Sequence, residues 1–357
     1  PMAFTVSLSN PVQSGVTLNL NSAFGTALAA DFTPIVGGTV SFPANNNANQ
    51  TVNVVINNDA LDEDDETFTL ALTGLTAVGN VSSGVLSATG TILDDDPTPS
   101  ISVTSPSQPE GNAGNTPMNF VVSLSAISGR DVTFTGATAD GTATTANSDY
   151  QPLAPQLITI PAGQLSTTIA VQIVGDTTYE GNESFSLNIS GVSNATPASI
   201  SGTGTLVDDD QQPTTTTIIS DTPDPTVVGQ PYTVAVNVAA VTTSPLGTVT
   251  ISDGSASCGP VTLTTAAAPN STASCALTST SAGAKTLTAS YTPASTAFAA
   301  SSGTTAHQVN AASTAISVVG PARSRINQPT TFTFALSVNA PGAGAPAGTV
   351  TLSSGAA

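Results

Sequence analysis

The chain has 357 residues, only 8% of them charged, and 23 Asp and Glu stand against 4 Lys and Arg for a net charge of -19. So few basic groups cannot neutralise phosphates, which excludes nucleic-acid binding, and an anionic membrane surface would repel the chain. A mean hydropathy of +0.18 with 39% hydrophobic residues argues for buried cores rather than disorder, and no apolar run approaches the roughly 18 residues of a spanning helix, so no membrane insertion is expected.

Taken in chain order, the elements read as strands. Phe4-Val6-Leu8, Val16-Leu18-Leu20, Val52-Val54-Ile56 and Phe68-Leu70-Leu72 alternate with polar neighbours at period two. Ile169-Val171-Ile173, Tyr232-Val234-Val236-Val238 and Phe332-Phe334-Leu336-Val338 do the same. Gly, Pro, Asn and Asp punctuate these runs at short intervals, and no long amphipathic helix is offered. The expected fold class is all-β: tandem antiparallel β-sandwiches of immunoglobulin-like type, about 100 residues each, in an elongated array.

The strands belong to repeats. Pro1-Met2-Ala3-Phe4 matches Pro117-Met118-Asn119-Phe120, Glu66-Thr67-Phe68 matches Glu183-Ser184-Phe185, and Gly90-Thr91-Ile92-Leu93 with Asp94–Asp96 matches Gly204-Thr205-Leu206-Val207 with Asp208–Asp210. Residues 1–97 and 98–212 are two copies of one module, the first without a counterpart to 98–116. A second repeat type follows: Gly247-Thr248-Val249-Thr250-Ile251-Ser252 recurs as Gly348-Thr349-Val350-Thr351-Leu352-Ser353. This gives a complete module at 213–310 and the opening of another at 311–357. Short Pro-containing stretches at 97–99 and 211–214 mark the joints. The chain reads as a fragment of something longer.

Charge follows the same division. Residues 1–212 hold 20 of the 23 acids and one base, Arg130, whereas 213–357 hold Asp221, Asp224 and Asp253 against Lys285, Arg323 and Arg325. In the second copy the strands read as 100–105, 118–125, 131–137, 156–161, 167–174, 184–189 and 200–207. If each connection reverses direction, Glu110, Asp140, Asp176, Glu180, Glu183, Asp208, Asp209 and Asp210 arrive at one end. Each like-charge pair at about 4 Å costs roughly 1 kcal/mol in water, and more in a cleft. A hard divalent cation relieves this: Ca²⁺ takes six to eight oxygens at about 2.3–2.6 Å and tolerates several carboxylates. Zn²⁺ does not suit these acids, because no His or thiolate accompanies them.

The motifs Glu110-Gly111, Asp140-Gly141-Thr142-Ala143 with Asp149-Tyr150, Asp176…Glu180…Glu183-Ser184-Phe185 and the terminal Asp208-Asp209-Asp210 resemble the Calx-β domain. The resemblance covers essentially all of 98–212 and most of 1–97. It implies a calcium site at the domain tip built from Glu110, Asp140, Asp176, Glu180, Glu183 and Asp208–Asp210, with Asp149 supporting a loop. The first copy departs from the pattern. Phe24, beside Gly25, takes the place of Asp140; Asp59, Glu63, Glu66, Asp94, Asp95 and Asp96 remain, with extra acids at Asp62, Asp64 and Asp65. A reduced site of at most one ion is expected there. The alternative for both copies is solvated loop charge.

Residues 213–310 resemble bacterial immunoglobulin-like repeats, most clearly at Lys285-Thr286-Leu287-Thr288-Ala289-Ser290-Tyr291. Cys258 and Cys275, the only cysteines, both fall in this module, and a disulfide between them would indicate an oxidising compartment outside the cytoplasm. Two buried free thiols are the alternative. His307, the sole histidine, reads as a surface residue. No second His is present to activate a nucleophile, and neither a Gly-x-Ser-x-Gly elbow nor a Gly-Lys-Ser/Thr loop appears. A chain without Trp has little to line a sugar cleft.

These features point to a non-enzymatic stalk or fibre segment of a bacterial surface or secreted protein, in which Ca²⁺ at the Calx-β tips stiffens the joints to neighbouring domains of the same chain. An adhesin that recognises a host or cell-surface ligand through calcium is the alternative. Another is a filament subunit that pairs with other copies of itself by strand exchange.

Overall fold

A computed structural model describes residues 1–76, 81–82 and 84–353. Residues 77–80 and 83, and the last four residues of the segment read as 311–357, lie outside the described residues. All named elements are strands, and among the described residues no helix is long and apolar enough to cross a membrane. Two compact units make up the chain. Pro1–Glu110, Gly114–Gly175 and Asn182–Val207 form the first; Gly111–Ala113, Asp176–Gly181 and Asp208–Ala357 form the second.

In the first unit, the first repeat contributes β1 (Met2–Val6), β2 (Val16–Phe24), β3 (Gly38–Phe42), β4 (Gln50–Val54), β5 (Glu66–Thr76) and β6 (Ser87–Ile92). They form a two-stranded sheet β1-β4 and a four-stranded sheet β3-β2-β5-β6, all antiparallel. Alternation decides the faces: Val16, Leu18 and Leu20 of β2 point inward with Val40, Phe42, Val52, Val54, Phe68 and Leu70. Each such side chain contributes roughly 1.5–3 kcal/mol by leaving water.

The second repeat contributes β7 (Ile101–Val103), β8 (Ser107–Pro109), β9 (Gly114–Leu124), β10 (Val132–Ala139), β11 (Gln156–Ile160), β12 (Ser166–Gly175), β13 (Glu183–Ser193) and β14 (Ser199–Val207). The sheets are β11-β10-β13-β14-β8 and β12-β9-β7. The run 100–105, read from sequence as one strand, is shorter in the structure, where it holds β7 alone, and β8 is a further strand beyond it. β7 pairs antiparallel with β9; the chain then turns through Pro106, whose carbonyl accepts from Thr205, and β8 joins the other sheet parallel to β14. Pro106 has no N–H to continue the first ladder, which suits it to the crossing. Phe120, Phe134, Phe185, Met118, Ile160 and Leu187 fill the core. Gly204 on β14 leaves room for them: an added Cβ would lie 2.7–2.9 Å from Met118, Phe120 and Phe185.

In the second unit the immunoglobulin-like module contains β15 (Thr215–Thr222), β16 (Thr226–Val227), β17 (Pro231–Ala239), β18 (Gly247–Ser252), β19 (Ser257–Thr262), β20 (Thr264–Thr265), β21 (Asn270–Thr278), β22 (Gly283–Pro293) and β23 (Ser301–Asn310). Sheets β15-β17-β21-β20 and β16-β23-β22-β18-β19 enclose Tyr232, Val234, Val236, Val249, Leu287 and Tyr291. A disulfide between Cys258 on β19 and Cys275 on β21 links the two sheets. Beyond it, β24 (Thr314–Val319) and β25 (Thr333–Val338) form an antiparallel pair. The repeated run 348–353 forms no strand, although its counterpart Gly247–Ser252 is β18. β18 lies between β22 and β19, and the described residues put no such partners beside 348–353.

Candidate metal centre

In the first repeat, β5 begins at Glu66 and β6 ends at Ile92, so the loop 57–66 and the run 93–96 leave the same end of the sheet. A cavity of about 250 Å³ opens there. It is lined by every site residue expected of this repeat, Asp59, Glu63, Glu66, Asp94, Asp95 and Asp96, together with Asp31 and Asp64. Carboxylate oxygens of Asp31, Asp59 and Glu63 lie within 4.8 Å of one another. That limit is about twice a 2.4 Å calcium–oxygen bond, so the three can sit on one coordination sphere.

The acids oppose one another's ionisation. Burial, a hydrogen bond to Asp31 and the charges of Asp31, Glu63 and Asp59 push the Glu66 carboxyl up to about 7. Glu63 is raised by burial and then by Asp59, Asp31, Asp94 and Asp96. Asp96 is raised by desolvation and by Asp95 and Asp94. An all-oxygen donor set with uncompensated negative charge fits a hard divalent cation, and Ca²⁺ in particular.

The same loop grips the second repeat within the first unit. Asp62 is 2% exposed, pairs with Arg130 and bridges to Ser128, while Asp64 meets the guanidinium at 3.2 Å. Gly129 N–H donates to the Asp62 carbonyl at 3.1 Å. Donation to the Asp62 carboxylate holds the guanidinium above its ordinary range. Arg130, the lone base of residues 1–212, is therefore a joint residue.

The expected site residues of the second repeat divide between the units. In the first unit Glu110 is 6% exposed, with its N–H donating to the Val207 carbonyl at 3.1 Å, and Glu183 opens β13. Asp140 follows β10. It accepts from the Tyr150 hydroxyl at 2.6 Å and from Thr145 N–H at 3.1 Å, and the Tyr150 bond above all lowers its carboxyl below the usual range. Asp149 is buried and accepts from Thr144 N–H at 2.6 Å, closing the loop 144–149.

In the second unit, Asp208 organises its surroundings. One oxygen accepts from the Glu180 and Gly181 N–H groups and the other from Asp210 N–H at 2.9 Å. Asp176 caps Thr178 N–H at 2.6 Å, and Asp209 accepts from Gly111 N–H at 3.1 Å. Burial and the charges of Asp208, Asp209 and Asp176 raise Asp210, whose Oδ2 is buried with no hydrogen-bond partner among the described residues. An orphaned carboxylate oxygen beside three other acids is the chemistry a cation satisfies. From the same loop the Tyr179 hydroxyl accepts from Gln212 Nε2 at 3.0 Å. Gln212 is 5% exposed; Nε2 also donates to Thr242 at 2.7 Å, and Oε1 accepts from the N–H groups of Val241, Thr242 and Thr243.

The family model of the Calx-beta domain matches residues 1–96 and 100–222. The chain belongs to the Calx-beta domain family. A bacterial Ig-like domain of group 3 matches residues 219–310. Crystal structures similar to the chain include CBD12 from CALX1.2 at 20% identity, covering 56% of this chain and 77% of that one with a TM-score of 0.25. Calcium binding domain CBD12 of CALX1.1 is also similar, at 20%, 52%, 71% and 0.24 respectively. The apo-form Calx CBD1 domain follows at 18%, 32%, 100% and 0.27. No curated protein sequence matches the chain.

Sequence reasoning missed Asp31 in the first Calx-beta domain. The signal was present: Asp31-Phe32-Thr33-Pro34 repeats the Asp149-Tyr150-Gln151-Pro152 of the second domain. Both accept from the loop backbone, Asp149 from Thr144 N–H and Asp31 from Leu28 N–H, and Asp31 also lines the acid basin. Arg130 and Gln212 carry no local motif, since their roles depend on loops distant from them in sequence. The reading of His307 as a surface residue is overturned: it is 2% exposed, because its position on β23 alternates into the core beside Val309.

Proposed function

We propose that this chain is a non-enzymatic, calcium-stiffened segment of tandem sandwiches from a bacterial surface or secreted protein. The basin of the first Calx-beta domain carries the reading: Asp31, Asp59, Glu63, Glu66 and Asp94–Asp96 share one cavity, where burial and the neighbouring charges raise the carboxyls of Glu63, Glu66 and Asp96. Calcium there supplies the positive charge that the side chains lack. Asp59, Glu63 and Glu66 flank Asp62, the residue that grips the second domain through Arg130. Ordering of the 59–66 loop by the ion is thereby transmitted to the joint. Asp176, Asp208 and Asp210 give the second domain an equivalent acid set, next to Tyr179 and its contact with Gln212. The immunoglobulin-like module, held by its disulfide, adds length and suits an oxidising, extracellular setting.

Thermal unfolding of the full chain in calcium and in chelator tests this. At free calcium 10–100 times the dissociation constant, the expected gain is roughly 1.4–2.7 kcal/mol. Transitions that coincide with and without chelator would sink the proposal.

A further inference from the structure

One cluster shares no residue with the acid tips and has a different donor chemistry. His307 on β23 turns Nδ1 toward Asp221 Oδ2 at 3.0 Å and Asp224 Oδ1 at 3.3 Å. All three ligand atoms lie within 4.8 Å of one another. The imidazole side chain is wholly buried, while Asp221 is 19% and Asp224 40% exposed, so solvent reaches the group from the carboxylate side alone.

We propose that Asp221, Asp224 and His307 form a site for a borderline divalent transition ion of the zinc type, in the immunoglobulin-like module. Three features beyond the cluster support it. Nε2, the other ring nitrogen, meets the Thr226 hydroxyl at 2.8 Å; with a metal on Nδ1 it carries the proton and donates to Thr226, as metal-bound histidines donate to an outer partner. The Asp224 oxygen that faces the ring also accepts from Gln308 N–H at 3.0 Å, which fixes the carboxylate's orientation. Tyr232 stacks on the imidazole at 4.0 Å and 14°, holding the ring plane. The spacings are also suitable. Ligands about 2.0–2.1 Å from a central ion sit about 2.8–3.0 Å apart along octahedral edges and about 3.3–3.4 Å apart along tetrahedral ones, a range that contains both contacts to Nδ1. The neighbouring cation does not compete: Lys285, opposite His307 in the ladder, directs its ammonium to Ser281 at 2.7 Å. Two carboxylates and one nitrogen with open positions suit zinc-type ions, whereas the all-oxygen basins suit calcium.

The test is zinc titration of the full chain by calorimetry in excess calcium, which occupies the acid basins. One zinc per chain is expected, with a tetrahedral or five-coordinate visible spectrum when Co²⁺ replaces it. Asp224→Asn, at the most exposed ligand, and His307→Gln each abolish tight binding while the calcium-induced rise in melting temperature stays. Thr226→Val, which removes only the outer partner, weakens zinc by about 10–100-fold. If His307→Gln fails to fold, Asp224→Asn still decides the matter. Absence of stoichiometric zinc binding in excess calcium overturns the proposal, as does unchanged affinity in Asp224→Asn. Either result leaves a hydrogen-bonded histidine.

Discussion

The two Calx-beta domains use one loop position in opposite ways. Asp62 lies four residues before Glu66, and Tyr179 lies four residues before Glu183. Each reaches the module that follows its own domain. Asp62 does so as a buried anion and requires the guanidinium of Arg130; Tyr179 does so as a neutral hydroxyl, meeting Thr242 at 3.4 Å and accepting from Gln212, whose amide also donates to Thr242. The flanking acids Asp59 and Glu63, or Asp176 and Glu180, keep their spacing in both loops. What the loop offers a cation is thus set within the domain, and how the loop is clasped depends on the next module. A charged clasp is costly to break, because either partner alone is left buried and unpaired, whereas a neutral clasp loses hydrogen bonds only.

Removing each clasp therefore gives the widest separation between the domains. Arg130→Met strands Asp62, whose side chain is 3% exposed, and is expected to cost about 3 kcal/mol in denaturant unfolding, the lower end for a broken buried pair because Arg130 is itself a quarter exposed. Adding Asp62→Leu restores most of that loss. Equal losses in the single and double variants would show that packing rather than charge holds this joint. Gln212→Ala comes next, at about 2 kcal/mol, since it leaves the Val241, Thr242 and Thr243 N–H groups without their common acceptor. A loss under about 0.5 kcal/mol would mean that water replaces the amide freely and the clasp is not structural.

Much of this was legible in advance, and what was not has a physical reason. Period-two alternation marked β2, β4, β5, β12 and β17, because one face of each is buried and the other wet. The repeated Glu-x-Phe and Asp-Asp-Asp runs marked the acids of the first basin, since the strands carrying them begin and end at the same tip. The passage from β7 in one sheet to β8 in the other was not legible: a chain that switches sheets changes its partners, which local sequence does not record. Nor was the burial of His307, where a polar residue occupies an inward position and is satisfied by Asp221, Asp224 and Thr226 from other strands and turns. Long-range partners leave no trace in local composition.

The basin itself provides a smaller, pH-resolved effect. The Glu66 carboxyl is raised to about 7 in the folded chain, above its ordinary 4.5. For a group shifted up, the associated stability is present below the ordinary value and is lost as pH climbs through the shifted one. In chelator, the melting temperature of the first unit should fall as pH rises from about 4.5 to 7. Glu66→Gln should flatten this slope and raise the chelated melting temperature at neutral pH, while reducing the gain from calcium. A slope unchanged by Glu66→Gln would assign the effect to Glu63 or to other carboxyls.

The smallest effect should come from the pair that most distinguishes the two domains. Gly25 and Gly141 occupy the same backbone niche, where an added Cβ would lie 2.4 Å from the Thr67 carbonyl and 2.3 Å from the Ser184 carbonyl. Ahead of them stand Phe24 and Asp140. Phe24 meets Phe32 edge-on at 5.6 Å, and Phe32 stacks on Phe68. Asp140 instead accepts from Tyr150, which stacks on Phe185 at 4.2 Å. The aromatic platform is common to both domains, and one phenolic hydroxyl separates an apolar lid from an oriented carboxylate. Tyr150→Phe retains the stack and deletes that hydroxyl. Because the Asp140 carboxyl is lowered in the folded chain, its contribution is present above the ordinary value of 3.8 and fades as pH falls below it. The variant should therefore match the parent in strong acid and fall slightly below it at neutral pH. If the two differ equally at both, the hydroxyl acts through packing and the contrast between Phe24 and Asp140 is steric rather than electrostatic.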